Sequence, residues 1–149
     1  MPTIFLVEDN AADVELFRMA LKDAGVESDL ILFEDGREII DRVRDADSTS
    51  ARTAPDLIVL DLNLPKNDGM EILQVIRQTP AFVKVPIAVL SSSSSLRERA
   101  KLATFDISEF IVKPPDLDQY LNIGKTIRNL LEEAKSQRGD TNTSMVGSL

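Results

Sequence analysis

Residues 57–61 read Leu-Ile-Val-Leu-Asp, four large apolar side chains running straight into an acid. A half-exposed strand alternates apolar and polar residues, whereas a strand covered by helices on both faces gives a continuous run of this kind. The run therefore points to a parallel α/β sheet. Its closing acid falls at a carboxyl end of a strand, the edge where ligands and chemistry gather in open α/β sheets. The residues that share this edge decide what the acid does.

Four further runs repeat the pattern, each followed by a helical one. Ile4 to Val7 predicts a first strand, and residues 10–25 a helix. Asn10 caps that helix, Asp13 stands three residues on, Val14, Phe17 and Leu21 form its inward stripe, and Gly25 stops it. Asp29 to Phe33 is a weaker second strand, and Asp35 with Glu38 caps a second helix through Ile39, Ile40 and Val43. Residues 45–54 carry no apolar period and read as a loop, after which Pro55 leads into the third strand. A helix with Met70, Ile72, Leu73 and Ile76 ends before Pro80. Residues 86–90 give the fourth strand, followed by a helix containing Leu96, Ala100 and Ala103; residues 109–113 give the fifth. Leu117, Tyr120, Leu121, Ile127, Leu130 and Leu131 mark a last helix. Five strands alternating with five helices predict a doubly wound five-stranded parallel sheet. The folded domain is expected over residues 1–135, with 136–149, polar and rich in Gly and Ser, as a flexible tail.

Composition removes several chemistries. A chain of 149 residues is expected to form one domain. With no Cys and no His, disulfides, thiolate-bound zinc, Ser-His-Asp catalysis and the usual zinc or iron ligands are excluded, so any metal must be hard and oxygen-liganded. A net charge of -8 argues against binding nucleic acid, whose affinity rests on clustered Lys and Arg. The only apolar run at the N-terminus, Ile4 to Val7, is too short for a signal peptide or a membrane span, which predicts a cytoplasmic protein with no membrane partner.

The strand ends then assemble a site. The first strand ends in Glu8 and Asp9, the third in Asp61, the fourth in Ser91 and the fifth in Lys113. Parallel strands point one way, so three acids, a hydroxyl and an ammonium meet at one edge. Two like charges about 4 Å apart cost on the order of 4 kcal/mol at an effective dielectric of 20, so the acids need counter-charge. Lys113 supplies one unit, and Mg²⁺, which accepts a few carboxylates and keeps waters, suits the rest. A carboxylate beside such a cation, with lysine and hydroxyl at the same point, is suited to receive a phosphoryl group.

The stretches Leu-Val-Glu-Asp-Asn (6–10), Leu57 to Gly69, residues 86–94 and residues 110–115 resemble, in that order, the receiver domain of two-component response regulators, from residue 3 to about residue 133. Ser91 follows Asp61 by 30 residues and Lys113 by 52, as in that family. The resemblance implies a CheY-like, flavodoxin-like fold and a phosphoacceptor switch whose only catalysis is its own phosphotransfer and dephosphorylation. Asp61 would take a phosphoryl group from a sensor histidine kinase. Asp9, Asp61 and the Asn63 backbone carbonyl would hold Mg²⁺, with Glu8 acting through water. Ser91 would hydrogen-bond the phosphoryl group and move on activation, Lys113 would ion-pair with it, and a cis peptide is expected before Pro114. Phe110 stands at a switch position often held by Tyr, and Asn63 and Ser93 at positions that tune dephosphorylation. The chain looks similar to stand-alone receivers that pair with phytochrome-type sensor kinases.

Departures from the family pattern are specific. Glu8 replaces the commoner Asp, and the loop at residues 45–54 is longer than usual. Asp106 occupies a position usually held by glycine, where a left-handed backbone is expected. Gly69 and Pro65 are read as structural, one opening a helix and the other stiffening the loop. Output is expected through the fourth helix, fifth strand and fifth helix, to a downstream protein or a histidine phosphotransfer partner. Apolar residues near the C-terminal end suggest a homodimer. A flavodoxin-like cofactor binder would need a phosphate cradle where residues 8–13 are acidic, and an aspartyl-phosphate phosphatase a second aspartate where Asn63 stands.

Overall fold

The computed structural model describes residues 1–47, 54–63, 69–93 and 96–147; Pro65 and the serines at 94 and 95 lie outside them. Five parallel strands, β1 (Thr3–Val7), β2 (Asp29–Phe33), β3 (Leu57–Asp61), β4 (Ile87–Ser91) and β5 (Glu109–Val112), form one sheet in the order β2-β1-β3-β4-β5. This is the doubly wound α/β arrangement that the alternation predicts and the flavodoxin-like fold that the resemblance implies. β3 and β4 are buried at every residue, which is why they read as unbroken apolar runs.

Helices α1 (Ala11–Asp23), α2 (Gly36–Asp47), α3 (Gly69–Gln78), α4 (Leu96–Leu102), α5 (Leu117–Leu121) and α6 (Ile123–Gly147) cover the sheet. Each face has its own core. One gathers Phe5, Val7, Ile58 and Leu60 under Ile39, Ile72 and Phe82. The other gathers Ile4, Leu6, Val59 and Leu90 under Phe17, Tyr120 and Ile127.

The capping signals act as read. Asn10 Oδ1 accepts from the N–H groups of Ala12 and Asp13, and Gly25 follows α1 at φ 72°. Asp35 accepts from the Glu38 N–H, while Glu38 reaches back to the N–H of Glu34. Gly69 opens α3 and is buried, and a Cβ there would fall 2.8 Å from Leu62 Cδ2. Asp106 adopts the left-handed region at φ 57°, ψ 56°.

Four expectations fare differently. The last helical stretch is broken at Asn122 into α5 and α6, and α6 continues beyond Lys135 to Gly147, since no proline follows residue 115 to end it. On α4 the inward residue is Leu102, with Leu96 and Ala100 exposed, and Ala103, also exposed, lies past the helix end, because the helix is too short to present a long stripe. Met70 lies on the exposed side of α3. No cis peptide occurs among the described residues, so the bond before Pro114 is trans. No described helix is long and apolar enough to cross a membrane.

Candidate functional site

Strand register carries the site. β3 pairs with β1 on one side and β4 on the other, and β4 with β5, so the carboxyl ends of four strands lie side by side. Asp61 is the last residue of β3 and is 1% exposed. Its Oδ1 accepts from the Asn63 N–H at 2.9 Å and its Oδ2 from Lys113 Nζ at 2.7 Å. Glu8, one residue past β1, is buried beside it, and its Oε1 accepts from the Asn10 N–H at 3.0 Å. Ser91 closes β4 and is buried; its carbonyl accepts from the Lys113 N–H at 2.7 Å, tying the lysine's backbone to the neighbouring strand.

Lys113 Nζ is held among three carboxylates: Asp61 Oδ2 at 2.7 Å, Asp13 Oδ2 at 3.4 Å and Glu8 Oε2 at 3.6 Å. One ammonium therefore serves three acids. Burial foremost, and the neighbouring Asp61 after it, together push the Glu8 carboxyl up to about 8 against the Asn10 N–H and Lys113. Burial works against the Asp61 carboxylate too, but hydrogen bonds from Glu8, Lys113 and the Asn63 N–H outweigh it and hold Asp61 below its ordinary value. Burial opposes the charge on Lys113, and the three acids more than reverse this, raising it above an ordinary lysine. The environment thus separates two adjacent carboxyls: Glu8 keeps a proton near neutrality, and Asp61 stays an anion with lone pairs available.

Sequence reading missed Asp13, which it took as part of a helix cap. The first turn of α1 brings its carboxylate to the site, and one oxygen each from Glu8, Asp13 and Asp61 lie within 4.8 Å of one another. Asp9, expected among the ligands, is exposed and outside that group. When ionised, three carboxylates against one ammonium leave an excess that an oxygen-liganded divalent cation fits. Asn63 Oδ1 accepts from Ser92 Oγ at 3.2 Å, and Ser93 donates its N–H to Ser91 Oγ at 3.0 Å. Phe110, on β5, is half-buried with the Arg99 guanidinium 5.0 Å above its ring.

A five-stranded parallel sheet with acids, a hydroxyl and a lysine gathered at the carboxyl ends of its strands defines a flavodoxin-like domain whose ligand edge is strongly acidic. Within that class, the chain belongs to the response regulator receiver domain family, which matches residues 4–124. Over 90 residues it is 39% identical to response regulator Rcp1 of Synechocystis sp., covering 60% of this chain and 61% of Rcp1. The crystal structure of the phosphorylated cyanobacterial phytochrome response regulator RcpA is similar at TM-score 0.75 and 35% identity, covering 87% of this chain and 93% of that one. The Mn²⁺-bound form of Rcp1 is similar at TM-score 0.72 and 29% identity, covering 85% and 91%.

Proposed function

We propose that this receiver is a phosphorylation switch, or an intermediate in a phosphorelay, of a two-component system, with Asp61 as phosphoacceptor. The observation that carries the reading is the buried Asp61 anion, one oxygen held by Lys113 and the other by a backbone N–H, in a group of carboxylates suited to a divalent cation. The Asp61 carboxylate attacks phosphorus, the P–N bond to the donor histidine breaks, and the imidazole leaves with the electron pair. Glu8, Asp13 and Asp61, with the rim residue Asp9 and the Asn63 carbonyl, would hold Mg²⁺, which when bound neutralises charge on the transferring group. Lys113 shifts from the Asp61 carboxylate to a phosphoryl oxygen. Ser91 donates its hydroxyl to another, and Phe110 follows that movement as the switch aromatic. Asn63 and Ser93 flank the path of the water that removes the phosphoryl group.

The donor is a sensor histidine kinase, of phytochrome type by similarity to the phytochrome response regulator RcpA. Exposed Leu96, Val112 and Leu117 on α4, β5 and α5 offer apolar contacts for a homodimer or a downstream partner; membership of the receiver family supports a cytoplasmic setting. Intact mass after incubation with acetyl phosphate and Mg²⁺ tests the central step: wild type gains one phosphoryl group and Asp61→Asn gains none. Equal labelling of the two would move the phosphoacceptor elsewhere.

A further inference from the structure

The Ser91 hydroxyl is already committed. Its Oγ donates to Glu98 Oε1 at 3.1 Å while accepting the Ser93 N–H at 3.0 Å. A hydroxyl carries one proton, so a Ser91 that donates to Glu98 has none left for a phosphoryl oxygen at Asp61. Glu98 is half-buried in the first turn of α4, and a carboxylate acceptor makes the stronger class of hydrogen bond. The next residue, Arg99, lies over the ring of Phe110. Consecutive residues of one short helix thus hold both side chains that the proposed switch would move.

We infer that Glu98 is a positioning residue that holds the Ser91 hydroxyl in its resting orientation, so that phosphoryl capture at Asp61 must break the Ser91–Glu98 hydrogen bond and thereby release the first turn of α4. The inference rests on the phosphoacceptor reading above. Glu98 competes with the phosphoryl group for one proton, and α4 feels the outcome because its own residue loses that partner. Arg99 adds a second hold on the same helix through Phe110, which would have to slide beneath the guanidinium as Ser91 turns.

The test follows the rate at which the full chain is phosphorylated by acetyl phosphate with Mg²⁺, read by intact mass as acetate leaves and the Asp61 acyl phosphate forms. Glu98→Ala should accelerate phosphorylation by about tenfold to a hundredfold, the order expected from removing one competing charged hydrogen bond. Glu98→Gln, which keeps shape and a weaker acceptor, should fall between. In a Ser91→Ala background Glu98→Ala should change nothing, since the proton in dispute is gone. Equal acceleration with and without Ser91 would mean that Glu98 acts through its charge alone and overturns the inference. So would an unchanged or slower rate in a Glu98→Gln protein that melts like wild type. Failure of wild type itself to take up phosphate would fell the phosphoacceptor reading first, and is distinguished by comparison with Asp61→Asn.

Discussion

At the scale of single residues, the site is organised by unequal sharing of protons and of one ammonium. Glu8 and Asp61 are chemically similar and adjacent, yet burial pushes Glu8 up to about 8 while hydrogen bonds hold Asp61 down. Stability should record the difference. A raised carboxyl keeps its proton in the folded chain after the unfolded chain has released it, so its contribution is complete below the ordinary value of 4.5 and is lost as pH rises through about 8. Asp61, lowered, contributes fully above its ordinary value, and Lys113, raised, matters only at high pH, so neither adds slope near neutrality. Without metal, the unfolding free energy from urea titrations, and the midpoint with it, should therefore fall between about pH 6 and about pH 8, the free energy by at most about 1.4 kcal/mol per pH unit, and Glu8→Gln should flatten the curve. A midpoint that holds level in wild type would show Glu8 ionised throughout. The strand-end acids, hydroxyl and lysine were legible in sequence because each closes an apolar run. Asp13 and Glu98 were not: both sit in first helical turns, where an acid serves equally well as a cap, and only the wrapping of α1 and α4 over the strand ends shows their partners.

Between elements, α1 and α6 pack backbone against backbone at Gly124. A Cβ built on Gly124 would fall inside contact distance of the Ala20 carbonyl oxygen and 3.1 Å from Ala24 Cβ. Alanine would gain about 1 kcal/mol of helix propensity there, yet forcing two backbones apart costs about 1–3 kcal/mol or more, and the shift would spread to Ile123 and Ile127, buried in the same core. Gly124→Ala should lower the thermal midpoint by several degrees, roughly 2–4 °C per kcal/mol, in a circular dichroism melt. A raised midpoint would mean that propensity decides and that the helices have room. Sequence assigned no role to this glycine, since close approach involves a partner about a hundred positions away. The element boundaries were clearer where chemistry is local. Asn10, Asp35, Gly25 and Asp106 each mark a backbone geometry through their own side chain, or its absence, and each adopts it. Arg77 is the opposite case: its guanidinium donates to the carbonyls of Val83, Val85, Phe105 and Asp106, tying the entries of β4 and β5 together through contacts that no sequence spacing announces.

For the molecule as a whole, two apolar cores hold the sheet rigid on both faces and leave one edge to concentrate negative charge, in a chain whose net charge is already -8. Alternation of runs and helices sufficed to predict that architecture, because covered parallel strands leave so strong an apolar signature. Stability and function then meet at the edge, where neighbouring acids repel one another and a cation that bound only the folded form would relieve them. Mg²⁺ at ten times its dissociation constant should stabilise the fold by about 1.4 kcal/mol, raising the thermal midpoint by about 3–6 °C, and chelation should reverse the rise. Asp61→Asn should lose most of that shift. The effect should grow as pH approaches 8, since the cation competes with the proton on Glu8 and meets less opposition as that proton leaves. Calorimetry against K⁺ at matched ionic strength separates binding from screening. If K⁺ raised the midpoint equally, the acids would be responding to bulk salt, and the carboxylate group would be a strained feature of the fold with no cation to complete it.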